Sequence, residues 1–199
     1  VKDSTKKKIQ EVIRAQNYEP NTFARLNAKN SNVIGVVVPT LNSKITSRVI
    51  TSIDRYLRKQ GYETLIKNSD HDANLELDNI KRLISLNVDG ILFSAISITE
   101  AHKQLIKNCS IPVVVLAQDY DDGISVVDDD YRAGRFAGEY IGKTQPKVVG
   151  YIGVDENDTA VGVNRRQGVL DGLKEYGITD PILLSGDYSF ESGQALTQQ

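Results

Sequence analysis

From residue 33 onward the chain alternates short β-branched runs with amphipathic segments, and this alternation constrains its fold most. Val33-Ile34-Gly35-Val36-Val37-Val38-Pro39 is apolar almost throughout. A strand without a polar face is one covered on both sides, as in the middle of a parallel sheet. Further strand-type runs occur at 62–68, 89–95, 111–118, 124–130, 147–153 and 182–186, and the first extends over 34–41. Between them lie segments with helical spacing, at 46–60, 74–86, 99–108, 131–141, 163–176 and 190–199. Val49, Ile50, Ile53, Tyr56 and Leu57 mark one apolar stripe, and Gly61 closes that helix. Ala133, Gly134, Ala137 and Gly138 give another helix a small-residue packing face. Strand and helix in strict alternation predict an α/β fold with parallel sheets covered by helices.

In such sheets ligands sit beyond the carboxyl ends of the strands. The loops that matter are therefore 39–46, 94–99, 117–123, 128–132, 153–165 and 186–190. The polar stretch Lys143-Thr144-Gln145-Pro146 suggests a boundary. It divides an N-terminal lobe, 33–143, from the start of a second lobe, 147–199, with too few strands for a complete sheet.

The first 32 residues differ from the rest. They carry seven Lys/Arg against three acids, a net of +4, so the remainder carries −6 of the overall −2. Residues 4–16 place Ile9, Val12 and Ile13 on one helical face beside Lys6, Lys7 and Lys8, with Ser4 as N-cap and Pro20 ending the segment. A basic arm on an acidic body suits phosphate contacts joined to a domain that binds a neutral or hydroxyl-rich ligand. No apolar run approaches the ~20 residues of a membrane span, and no apolar signal core is present, so a cytoplasmic protein is expected. Cys109 is the single cysteine and only two histidines occur, which excludes an internal disulfide and disfavours a metal centre. Nucleotide, hydrolase and redox signatures of the G-x-S-x-G, P-loop, GxGxxG and C-x-x-C kinds are missing, so no catalytic residue, cofactor or metal is assigned.

The ordered set of motifs resembles the lactose-repressor (LacI/GalR-type) family of bacterial transcriptional regulators over essentially the whole chain. It comprises Ser4–Leu26, then IGVVVP, VDGILF, IPVVVL, the acidic turn at 128–130, GYIG, Arg165-x-x-Gly and GDY-x-x-ESG. The FSAISITEAH and GVDENDTAVGVNRRQG stretches resemble regulators of disaccharide operons such as the trehalose repressor. The resemblance implies a periplasmic-binding-protein-like core of two Rossmann-like lobes. Residues 1–32 would be the remnant of a helix-turn-helix domain and hinge. It also implies a homodimer that binds operator DNA, with helices 46–60 and 73–86 on the dimer face, and a small sugar or sugar phosphate as effector.

By the same resemblance Arg165 anchors the effector, its planar donor fork suiting vicinal hydroxyls and anions; Arg166 beside it is read as solvated. Asp129 accepts sugar hydroxyls or holds the arginine, while Asp130 caps the following helix. Tyr188 stacks on the apolar face of a sugar. Asn42, Ser43 and Gln118 are further polar contacts. Lys6, Lys7, Asn21, Arg25 and Leu26 contact DNA, with Lys8 among the phosphate-contacting lysines. Leu26 follows Arg25 directly, one residue short of the family's spacing, and Thr40 replaces an arginine of the trehalose-repressor pattern. Two rivals remain: a stand-alone sugar receptor of the periplasmic type, against which the basic arm argues, and an α/β enzyme using the acids at 128–130.

Overall fold

A computed structural model describes residues 2–16 and 31–198 of the 199. The expected DNA contacts Asn21, Arg25 and Leu26 lie outside the described residues. Helix α1 (Asp3–Ala15) is exposed along its whole length. Its N-cap is Lys2, without a capping side chain, so Ser4 is an interior helical residue and not the cap expected. Asp3 in the first turn favours the positive end of the helix dipole instead.

Five strands form a parallel sheet: β1 (Val33–Val38), β2 (Glu63–Asn68), β3 (Gly90–Ser94), β4 (Val113–Leu116) and β5 (Ile124–Val126), in the order β2-β1-β3-β4-β5. The last is shorter than expected, because the acids at 128–130 leave the ladder. Helix α2 (Lys44–Lys59) covers one face, where Ile50 packs with Val36 and Val38. Helices α3 (Ala73–Ser85) and α4 (Glu100–Lys107) cover the other, where Ile80 and Leu83 pack with Val37, Ile91, Phe93 and Val115. The alternation of Val36 and Val37 between the two clusters is the two-residue period of a strand. Gly35 faces Leu83, whose Cδ1 would stand 2.6 Å from an added Cβ. Asp89 fixes the start of β1 by accepting the backbone N–H groups of Ser31 and Asn32 and the Ser31 hydroxyl.

Helix α5 (Asp130–Lys143) leads to the second sheet, of β6 (Gly150–Val154) paired in parallel with β7 (Ile182–Gly186). A π-helical turn (Thr159–Arg165) and α6 (Arg166–Lys174) connect those strands, and α7 (Phe190–Thr197) follows. The helical run after β6 thus starts earlier than position 163.

Helix α5 packs on α6 at backbone distance. A Cβ on Gly134 would meet the Arg165 carbonyl oxygen at 2.0 Å, one on Gly168 the Tyr131 oxygen at 2.0 Å, and one on Gly138 the Val169 oxygen at 2.3 Å. Only glycine allows this approach. The packing therefore runs across the Lys143–Pro146 stretch that the sequence marks as a boundary.

Candidate functional site

The order β2-β1-β3-β4-β5 sends consecutive connections to opposite sides of β1, which opens a crevice at the carboxyl ends of the strands. At the same end of the sheet, beyond β4 and the edge strand β5, the loop after β4, the segment after β5 and the π-helical turn line a cleft of 360 Å³. Its walls include Ala117, Asp119, Asp128, Asp129, Asp130, Tyr131 and Asn164.

Arg165 reaches this region because α5 and α6 touch. Its Nε donates to Asp130 Oδ1 at 2.8 Å, and Nη2 donates to the same oxygen. Asp130 is 7% exposed. The two aspartates exchange the parts assigned from the sequence. Asp129 Oδ1 accepts Arg132 N–H at 3.0 Å and caps α5, whereas Asp130, one residue on, turns inward to the guanidinium. The helix starts at 130, so the cap falls one position earlier than a start at 131 implies. Asp129 still lines the cleft. Arg166 is not free in solvent, since its Nη1 pairs with Glu156 Oε1 at 2.7 Å.

A second cluster centres on Asp158, which no sequence motif marks as a site residue. Its Oδ1 accepts Val161 N–H at 3.0 Å, capping the π-helical turn, and the Gln118 amide at 3.1 Å. Its Oδ2 accepts the Tyr188 hydroxyl. Gln118 is 4% exposed and follows Ala117, whose φ of +68° lies in the left-handed region. That conformation is costly for alanine, and it turns Gln118 toward Asp158. Tyr188 also stacks on His71, with ring centroids 6.3 Å apart and planes 12° apart. Burial and the Asp158 carboxylate push the Tyr188 phenol above its ordinary range, with Arg165 pulling the other way. Burial likewise raises Tyr151, which the Arg165 and Arg166 charges oppose.

The structure thus brings Arg165, Asp129, Gln118 and Tyr188 to neighbouring loops. Asn42 and Ser43 stand apart from the cleft walls. Asn42 is exposed, its N–H donating to Thr40 Oγ1, and the Ser43 hydroxyl caps α2 by accepting Thr46 N–H. Lys6 and Lys7 are exposed on α1. His71 and Asp158 were legible only as polar loop residues. Among the described residues no group of three His, Cys, Asp or Glu could hold a metal ion.

Residues 34–198 match the family model of the periplasmic binding protein domain. The chain belongs to that family. It is 33% identical over 182 residues to the sucrose operon repressor of Staphylococcus xylosus, covering 91% of this chain and 57% of that one. It is 33% identical over 202 residues to catabolite control protein A of Staphylococcus epidermidis, covering 97% and 60%. The crystal structure of the transcription regulator CcpA of Lactococcus lactis superposes with a TM-score of 0.72 at 26% identity, covering 83% of this chain and 62% of that one. Within the periplasmic binding protein domain family its relatives are of the lactose-repressor (LacI) type. This member spans about three-fifths of the length of the curated relatives it matches.

Proposed function

We propose that this chain is the effector-sensing core, with part of the DNA-proximal arm, of a sugar-responsive transcriptional repressor acting in the cytoplasm, and that it is not an enzyme. The observation that carries the reading is the Arg165–Asp130 pair beside a cleft rich in carboxylates and hydroxyl-compatible groups. Four acids, Asp119, Asp128, Asp129 and Asp130, line that cleft, while Arg165 is already matched by Asp130. Such a site rejects an added dianion and accepts the hydroxyls of a neutral sugar, so a sugar is favoured over its phosphate. Arg165, Asp129, Gln118 and Tyr188 are the effector contacts; Asn42 and Ser43, which stand apart from the cleft walls, would be reached only by a larger ligand. The relatives' names, a sucrose operon repressor and a catabolite control protein, agree with sugar sensing.

The ligand acts by preferring one arrangement of the two lobes, since equal affinity for both would shift nothing. The division between lobes follows the packing of α5 on α6 and lies near 127–129. A homodimer would use α2, whose Ile45, Val49 and Tyr56 are 76%, 45% and 65% exposed. Lys6, Lys7, Lys8 and Arg25 supply phosphate contacts, with Asn21 and Leu26 as the further DNA-contacting residues. The alternative, a free sugar receptor, leaves the exposed basic α1 without a use.

The test is a melting-shift screen of sugars against their phosphates. A neutral sugar that raises the transition, with its phosphate inert and Arg165→Ala unresponsive, supports the reading. Stabilisation by sugar phosphates alone contradicts it.

A further inference from the structure

Glu76 and His102 are buried almost completely, 1% and 0% exposed, and neither belongs to the cleft. They come from α3 and α4, on the sheet face where the His102 ring lies 5.2 Å from that of Phe93. His102 Nε2 stands 3.4 Å from Glu76 Oε2, and neither Nε2 nor Glu76 Oε1 has a hydrogen-bond partner among the described residues. The other ring nitrogen identifies the tautomer. Nδ1 receives the Thr99 N–H at 3.3 Å and lies 2.8 Å from Thr99 Oγ1, which in turn accepts His102 N–H. Nδ1 is therefore the acceptor, and the proton of the neutral ring sits on Nε2, toward Glu76. Burial lowers the affinity of the ring for a second proton. Burial above all, with a smaller push from Asp72, raises the Glu76 carboxyl to about 7 against the opposing hydrogen bonds from the Ile96 backbone and Ser69 side chain.

Ser69 links the pair to the rest of the molecule. It is fully buried and has one hydroxyl proton with two claimants. The hydroxyl donates to the Val38 carbonyl at 3.1 Å, at the end of β1, and it is also a partner of Glu76. A neutral Glu76 donates its proton to Ser69 Oγ and leaves the hydroxyl proton on Val38. An ionised Glu76 only accepts, and draws that proton away. Ser69 opens the turn in which Asp70 and His71 have φ of +49° and +60°, and His71 is the residue stacked on Tyr188. The groups that face Glu76 are thus Ser69 and Asp72 from the turn, Ile96 N–H from the loop after β3, and His102 from α4.

We propose that Glu76, His102 and Ser69 form a buried proton-responsive relay that couples ambient pH to the 69–72 turn and, through His71, to the rim of the cleft. The relay is independent of which ligand the cleft takes. Protonation of Glu76 favours the turn as held by Val38, and ionisation loosens that hold.

The experiment is a carbon-detected NMR titration of the full chain from about pH 5 to about pH 9, run also in a His71→Asn background. The expected result is a Glu76 carboxyl carbon that titrates near neutrality, and a Val38 carbonyl carbon that follows the same midpoint. Glu76→Gln abolishes the Val38 response; Ser69→Ala uncouples Val38 while Glu76 still titrates. With His71 intact, the Tyr188 ring signals carry a component at the Glu76 midpoint, and Glu76→Gln removes it. A Glu76 that titrates in the ordinary carboxylate range overturns the proposal, as does a Val38 response unchanged in Glu76→Gln. If Glu76→Gln does not fold, unequal midpoints for Glu76 and Val38 in the parent chain overturn it equally.

Discussion

Asp130 is the residue on which the candidate site balances, being buried with Arg165 as its charged partner. Arg165→Ala is expected to abolish the melting shift produced by any effector. It should also destabilise the chain by about 1–2 kcal/mol, the cost of a buried acceptor left unpaired, reduced because the guanidinium is half exposed. The double variant Arg165→Ala/Asp130→Ala should recover part of that loss in urea denaturation; strict additivity of the two single losses would refute the pairing. Glu76 gives a second residue-level expectation. Its folded carboxyl holds a proton up to about pH 7 that the unfolded chain releases near the ordinary value of 4.5. Its contribution to stability is therefore greatest at low pH and declines as pH rises through that window. His102, whose folded affinity for a proton is lowered from 6.5, opposes this, destabilising the fold as pH falls below 6.5. The two partly cancel in acid, so the Glu76 decline is seen cleanly only above the ordinary histidine range. Urea midpoints of the parent chain should fall from pH 6.5 to pH 7.5, whereas those of Glu76→Gln, in which only the His102 contribution is left, should not fall and should rise slightly.

At the scale of elements, the α5–α6 contact places the chemistry. The sequence shows the small residues at 133–138 but not their partner, because a small-residue face does not say what it meets. Gly168 supplies the reciprocal surface, with the Tyr131 carbonyl 2.0 Å from where its Cβ would be. Gly168→Ala is expected to cost about 3 kcal/mol or more, the upper range for overpacking, because backbone and not a yielding side chain stands in the way. Gly193→Ala on α7, where nothing lies within 4 Å, should be neutral or stabilise by up to about 1 kcal/mol. Equal effects of the two substitutions in thermal melts would show that the close approach does not exist. The strands and most helices were legible from periodicity. The π-helical turn was not, since Thr159–Arg165 has no pattern that separates a wide turn from the start of an α-helix.

For the whole molecule, the charge separation sets what the N-terminal arm does with nucleic acid. With Lys6, Lys7 and Lys8 on an exposed helix, these 199 residues should bind duplex DNA weakly and without sequence preference, on the order of 10⁻⁴–10⁻⁶ M. Affinity should fall as salt rises, with a log–log slope of about −0.9 per phosphate neutralised. Tight, operator-selective binding that survives salt in a fluorescence-anisotropy titration would show the arm to be read wrongly. The same scale predicts association. Ile124 and Val126 on the edge strand β5 are 64% and 61% exposed, and Ile182 and Leu183 on the two-stranded sheet are 55% and 45% exposed. Unpaired apolar edges template contacts between chains. Light scattering of this polypeptide should therefore rise with concentration, while a monomer at every concentration would contradict the expectation.

The sequence by itself determined the α/β class, the parallel sheets, the loops that could carry a site and the basic arm, because periodicity and charge are local properties written along the chain. Its family resemblance also offered Arg165 and Tyr188 as candidate contacts, and Gln118 was offered by its place at a strand end. The tertiary structure decided which acid meets the arginine, Asp130 and not Asp129, because a one-residue shift in a helix start rotates adjacent side chains to different directions. It alone revealed Asp158 as the acceptor joining Gln118 to Tyr188, and Glu76 buried against His102. These groups are 40, 30 and 26 residues apart in the chain. Only the packing of sheets and helices brings them together, and no local pattern encodes that distance.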